Sequence, residues 1–184
     1  MNFSGIRAEK QRIRNEIRMR TAALTEAYTA EASRKITEQV LALSQWQEAK
    51  TVMAYVSMPG EPDTGELIRK ALEAGKTLLL PRCVDGQRME ALPVTDMNQL
   101  VPGRLRIPEP SASEEAAAPV PDLILVPCVS ASPAGNRLGH GAGYYDRFLE
   151  NSSAFTVCLC FRALMSAQLP ADGTDVPMDL VVTD

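Results

Sequence analysis

The chain reads as an α/β protein, a single domain in which helices pack on a largely parallel sheet. Segments of helical periodicity alternate with short extended segments along its whole length. One extended segment, Leu123 to Val126, is apolar at every position, as expected of a strand buried on both faces. The glycine-rich run that follows it leads into another helical segment. Ligands of such folds sit beyond the carboxyl ends of the strands, so the loops Met58 to Thr64 and Pro127 to Gly143 are where a site is expected.

The elements follow in order. Residues 7–20 and 26–45 read as helices, the second with Tyr28, Ala32, Ile36, Val40 and Leu43 at helical spacing and Thr25 placed to cap it. Residues 51–57 alternate like a strand. Thr64 can cap a helix running to Ala74, with Gly75 suited to its end, and residues 77–80 read as the next strand, which completes a βαβ unit. A strand is expected over 88–92 and a short helical or irregular link over 94–99. Pro102 to Pro121, rich in proline, alanine and serine, reads as a surface loop. After the apolar strand and the glycine loop come a helix from Tyr144 to about Glu150, a strand over 155–161 and a last strand near Leu180.

With 184 residues the chain is long enough for one sizeable core and short for two. A formal net charge of -4 argues against broad binding to nucleic acid or to an anionic membrane surface, which leaves a small ligand. The first twenty residues are charged throughout and no stretch approaches the length of a membrane span. A cytoplasmic protein is therefore expected. Cys83, Cys128, Cys158 and Cys160 form no C-x-x-C pair, so free, mostly buried thiols are expected in place of a zinc or redox site.

Arg137-Leu-Gly-His-Gly-Ala-Gly-Tyr-Tyr-Asp-Arg-Phe-Leu149 has the composition of a phosphate cradle. Glycines at 139, 141 and 143 can adopt positive φ and carry no Cβ, so successive N–H groups can converge on an anion. The helix that opens near Gly143 would add its unpaired N–H groups. Arg137 brings a planar fork suited to phosphate oxygens, and Asp146 is near enough to hold a metal ion on them. The spacing matches neither the dinucleotide fingerprint nor a P-loop, and G-x-G-x-G alone equally suits a tight strand-to-helix turn. The flanking cation, the paired rings and the carboxylate favour the cradle.

The same run resembles the signature of the 5-formyltetrahydrofolate cyclo-ligases, also called 5,10-methenyltetrahydrofolate synthetases. Lys10 to Arg14, Ser57 to Glu61, Ile107 to Pro110, Asp122 to Pro127 and Asp175 to Asp179 extend the likeness over nearly the whole chain, in the same order. The resemblance implies a three-layer α/β/α fold like that of the NagB/RpiA/CoA-transferase group. The implied activity is ATP-dependent closure of 5-formyltetrahydrofolate to 5,10-methenyltetrahydrofolate.

By motif match, ATP would be held by Lys10, Arg14 and the run Arg137, Leu138, Gly139, His140, Gly141, Ala142, Gly143, Tyr144 and Tyr145. Arg137, His140 and Tyr144 would take part in the chemistry. Val56, Glu61 and the run His140 to Tyr144 would contact folate, with or without a polyglutamate tail, and Asp146 and Asp175 would hold Mg2+. Read locally, each has a plainer alternative: a solvated basic face for Lys10 and Arg14, which lie four apart on one helix face, and turn or capping carboxylates for Glu61, Asp146 and Asp175. Thr174 stands where many relatives carry histidine. A monomer or weak homodimer is expected. A non-catalytic folate or nucleotide binder, or an isomerase or acyl-transferase on the same fold, are the alternatives.

Overall fold

The computed structural model describes residues 3–103, 106–111 and 119–184. Its first helix, α1 (Phe3–Ala22), buries Ile13 and Ile17, one turn apart. α2 (Glu26–Ala42) buries Ala32, Ser33, Ile36, Thr37 and Val40 along one stripe. The Thr25 hydroxyl caps it as expected, accepting from the Tyr28 N–H at 3.2 Å. The expected 26–45 helix is interrupted at Leu43, whose backbone is extended, and a separate turn, α3 (Ser44–Glu48), carries Trp46 into the core.

β1 (Thr51–Met53), α4 (Gly65–Glu73) and β2 (Thr77–Cys83) form the βαβ unit, with β1 and β2 parallel. Strand β1 stops four residues short of the expected Ser57, because the chain from Tyr55 onward leaves the sheet to line a cavity. Thr64 sits at the expected cap position, but its hydroxyl donates to the Tyr55 carbonyl. Asp63 does the capping, its Oδ1 accepting the Gly65 N–H at 2.9 Å.

β3 (Met89–Pro93) returns antiparallel to β2. The link holds a 3-10 turn, Met97–Gln99. The expected Pro102 to Pro121 surface loop proves partly ordered: β4 (Val101–Pro102) pairs with β5 (Pro108–Glu109), and Ile107, Pro108 and Glu109 line the cavity. Residues 104–105 and 112–118 of that loop lie outside the described residues.

The apolar run forms β6 (Leu123–Val126), buried at all four positions. A small hairpin absent from the sequence reading, β7 (Ser130–Ala131) with β8 (Arg137–Leu138), then presents the glycine loop. α5 (Tyr144–Leu149), β9 (Phe155–Leu159) and β10 (Leu180–Val182) complete the chain.

The main sheet has the order β10-β9-β6-β1-β2-β3 and is parallel except for β3. Its central strands are apolar on both faces: Val52, Met53, Leu79, Leu80, Leu123 to Val126 and Val157 to Leu159 are fully buried. Helix α2 packs against α4 and β10, and α4 against β2.

Two aspartates from the recognised motifs pin this sheet. Asp122 Oδ2 accepts the N–H groups of Lys50 and Thr51, both at 2.8 Å, at the start of the β1 and β6 pair. Those two bonds hold its carboxyl below the usual range. Asp179 Oδ2 does the same for Thr156, accepting its N–H at 2.8 Å and its hydroxyl at 2.7 Å. Cys128, Cys158 and Cys160 are buried free thiols and Cys83 is half-buried, as expected.

Asp122→Ala is expected to cost about 1 kcal/mol, below the usual range of roughly 1.5–3 kcal/mol for bonds to a charged group because this one is exposed. A drop in the midpoint of urea unfolding with unchanged slope is the expected result, and an unchanged midpoint would remove Asp122 from the account of the sheet.

Candidate active site

The sheet has a switch point. From β1 the chain goes to β2 on one side, and only later returns as β6 on the other. The loops leaving the carboxyl ends of β1 and β6 therefore diverge and open a crevice, the usual ligand position in such folds. A cavity of about 450 Å³ fills it, walled by the segment after β1, the end of β2, the 107–109 strap, the glycine loop, α1 and the loop before β10. That volume suits a small organic ligand.

The glycine loop behaves as a cradle. Gly141 and Gly143 have φ of 105° and 70°, which a side chain would strain, and a Cβ at 143 would also sit 2.7 Å from Arg147 Nη1. Gly139 needs no positive φ; its Cβ would press on Arg137 Nη1 at 2.9 Å. Among the described residues, no backbone N–H from Gly139 to Gly143 donates to another protein group. α5 has six residues, so its dipole adds little, and the cradle rests on loop N–H groups and nearby cations.

Those cations come from α1. Arg14 reaches the loop itself, its Nε donating to the Gly139 carbonyl at 2.8 Å. Lys10 lies one turn earlier on the same face and lines the same cavity. Its ammonium is clamped by Asp175 Oδ1 and Oδ2 at 2.7 and 2.6 Å and by Asp172 Oδ2 at 3.0 Å. Burial pulls its pKa down, but the two carboxylates outweigh burial and leave it above its ordinary value. Both side chains thus line the cavity and are held by protein groups, which a solvated basic face would not show.

Arg137 is more buried than a free phosphate fork would be. Its side chain is 4% exposed, Nη2 donates to Asp146 Oδ1 at 2.6 Å, and its Cζ lies 5.9 Å from the Tyr145 ring centre. Among the described residues, Arg137 Nε and the Tyr145 hydroxyl are buried without hydrogen-bond partners. Arg137 therefore braces the glycine loop against α5 and stations Asp146 at the cavity. Asp146 Oδ1 is taken up by that contact, with the Val176 N–H at 3.5 Å. Leu138 is buried beneath the loop.

Glu61 is no surface-turn residue. It is 8% exposed, Oε2 accepts the Met58 N–H at 2.9 Å, and Oε1 lies 3.1 Å from His140 Nε2. The pair joins the loop after β1 to the glycine loop across the crevice. His140, whose side chain is 55% exposed, sits at the mouth, and Val56 and Ala142 line the wall. The Tyr144 hydroxyl donates to the Asp85 carbonyl at 2.8 Å and its ring lies under Arg147, which fits a wall better than a proton donor. Burial, then the Glu61 charge, push the Tyr145 hydroxyl far above its ordinary pKa, so it stays neutral.

Sequence reasoning missed Asp172 and Glu109. Asp172 gives no signal of its own, since its partner Lys10 is 162 residues away. Among the described residues no three His, Cys, Asp or Glu side chains gather as a metal-ligand set. No helix among the described residues is long and apolar enough to cross a membrane.

Fold and site together define an α/β protein with a glycine loop, flanked by cations, in a crevice at the switch point of its sheet. Residues 6–184 match the 5-formyltetrahydrofolate cyclo-ligase family. A probable 5-formyltetrahydrofolate cyclo-ligase of Caenorhabditis elegans is 32% identical over 98% of this chain and 95% of its own. The 5-formyltetrahydrofolate cyclo-ligase of Haemophilus influenzae is 32% identical over 95% of this chain and 97% of its own. Among solved structures, the 5,10-methenyltetrahydrofolate synthetase of Aquifex aeolicus superposes with a TM-score of 0.83 at 29% identity, covering 94% of this chain and 88% of that one. The chain belongs to the 5-formyltetrahydrofolate cyclo-ligase family, a family of ligases.

The Asp172 carboxyl is held down to about 2, first by the Thr174 hydroxyl, then by Lys10 and the Thr174 N–H. A carboxyl with a folded pKa below its unfolded value of about 3.9 stabilises the fold above that value, and the contribution is lost as pH falls from about 4 toward 2. Asp172→Asn is expected to lower stability at pH 7 and to flatten that acid limb in thermal melts. An acid limb that overlays the parent would rule out the clamp.

Proposed function

We propose that this protein closes 5-formyltetrahydrofolate to 5,10-methenyltetrahydrofolate at the expense of ATP, with Mg2+ on the phosphates. The observation that carries the reading is the meeting, in one cavity, of a glycine cradle with free N–H groups, two cations from α1 and a buried carboxylate from the loop after β1. A formyl amide oxygen is a poor leaving group. Phosphorylation turns it into a good one, giving an iminium phosphate that the neighbouring N10 attacks before phosphate departs. No enzyme nucleophile is required, so the protein's work is positioning and charge neutralisation.

Each part has a task in that scheme. The loop N–H groups from Gly139 to Gly143, with Arg14 and Lys10, receive the triphosphate and hold the transferred group in line. Glu61, fixed by Met58 and His140, faces the folate. Val56 and Tyr144 wall off the ring from water, which matters because water competes with N10 for the activated carbon. His140 lies beside both the cradle and Glu61, where it can steady the developing phosphate charge.

Asp146 fits a Mg2+ ligand: it is partly exposed, lines the cavity, and keeps Oδ2 clear of the Arg137 contact. Mg2+ uses one or two carboxylates with phosphate oxygens and water, so a large protein ligand set is not needed. It would neutralise phosphate charge there. Asp175 would be the second carboxylate to hold it, its two oxygens being on the Lys10 ammonium in the free protein. We place the protein in the cytoplasm as a monomer or weak homodimer, acting on folate with or without a polyglutamate tail.

The decisive measurement is the absorbance of methenyl-folate formed from 5-formyltetrahydrofolate with and without ATP and Mg2+. Turnover only with both is expected. ATP-independent turnover would favour an isomerase or acyl-transferase, and binding without turnover a folate carrier. Within the active enzyme, Gly141→Val is expected to raise the KM for ATP by about tenfold or more, whereas Ala142→Gly changes it little. Equal kinetics for the two would make the loop a plain connector. Asp146→Asn keeps the shape but loses the charge, so half-maximal turnover should need severalfold more Mg2+. A Mg2+ titration that matches the parent excludes Asp146 as a ligand.

A further inference from the structure

The cavity contains a second buried carboxylate that no motif role accounts for. Glu109 lies on β5 of the 107–109 strap, is 7% exposed and lines the cavity beside Ile107, Pro108 and Met89. Its single hydrogen bond within the described residues comes from the Cys83 N–H to Oε2, at 3.2 Å. It forms no ion pair there. The chain makes deliberate room for it, because a Cβ on Gly103 would fall 2.2 Å from its Cδ and 2.5 Å from Oε1. A buried carboxylate held by one long N–H bond among apolar side chains is costly unless something else donates to it.

The two carboxylates divide the cavity. Glu61 carries two protein partners, Met58 and His140, and adjoins the phosphate cradle, where the reacting end of the substrate must lie. Glu109 has an oxygen with no partner among the described residues, at an apolar wall. A donor that would satisfy it is the N–H edge of a flat heterocycle. The 2-amino-4-oxopyrimidine ring of a pterin presents two adjacent donors, N3–H and the exocyclic amine, which match the two oxygens of a carboxylate. The corresponding edge of adenine offers one donor beside an acceptor, and the acceptor would face the second oxygen repulsively.

Resting on the cyclo-ligase reading, the geometry points to Glu109 as the residue that recognises the amino edge of the pterin, and so as a specificity residue for the folate half of the reaction. Glu61 then serves the ring from the reacting side. Ile107 and Pro108 of the same strap supply the apolar face on which that ring lies, so the strap acts as the folate-reading wall of the site.

Calorimetry on Glu109→Met and Glu109→Gln tests this, each titrated separately with 5-formyltetrahydrofolate and with a non-hydrolysable ATP analogue. Methionine keeps the volume and removes the acceptor, so a tenfold or greater loss of folate affinity with nucleotide affinity within about twofold of the parent is expected. Glutamine keeps one acceptor oxygen and should recover part of the loss. Equal losses for both ligands would show that Glu109 only holds the strap to Cys83, and a loss confined to the nucleotide would assign it to adenine; either overturns the proposal, as does parent-like folate binding by the methionine variant. If the parent itself binds no folate, the cyclo-ligase reading fails first, which keeps the two failures apart.

Discussion

The site depends on the pairing of β1 with β6, and that pairing is anchored by one carboxylate. Asp122 takes the N–H groups of Lys50 and Thr51 at the point where β1 enters the sheet. This fixes which residues of β1 lie against β6, with Val52 opposite Leu123 and Met53 opposite Ile124. Because side chains alternate at every residue, a slip of one position would exchange the two buried faces of β1, mispack both layers and carry the loop bearing Glu61 away from the glycine loop. The crevice thus follows from a register set at the opposite end of the strand.

Within that frame the site is an exercise in managing charge. Arg14, Lys10 and Arg137 face the cradle, yet each is already engaged: Arg14 by a carbonyl, Lys10 by Asp172 and Asp175, Arg137 by Asp146. Pre-engagement holds flexible side chains in place and lowers the ordering cost when an anion arrives. It also means that any anion drawn to Lys10 must compete with two carboxylates. An anion that drew Lys10 away would leave the Asp175 carboxylate without its cation.

Much of this was legible in the sequence because it is local. Glycines 139, 141 and 143, the flanking Arg137 and Asp146 and the apolar β6 lie within one short stretch, and local chemistry predicts local geometry. The strand after Lys50 was overextended because alternation continues past Met53, although the chain there serves the cavity and not the sheet. The split of the second helix at Leu43 answers to Trp46 finding the core, a tertiary demand with no local sign. Glu109 and Asp172 were invisible for a related reason. A glutamate in a proline-rich strap reads as surface until Gly103 and Cys83 are seen to enclose it, and an aspartate in a turn reads as a turn residue until a lysine from the first helix arrives.

That lysine contact spans 162 positions to Asp172 and 165 to Asp175. During synthesis the first helix leaves the ribosome long before its partners exist, so a nascent chain cannot assemble this ion-pair cluster until the loop before β10 has emerged. Ligands can protect only molecules in which the two ends of the chain have met. A cavity walled by both ends of the chain is therefore complete, and open to stabilisation by whatever fills it, only in finished molecules.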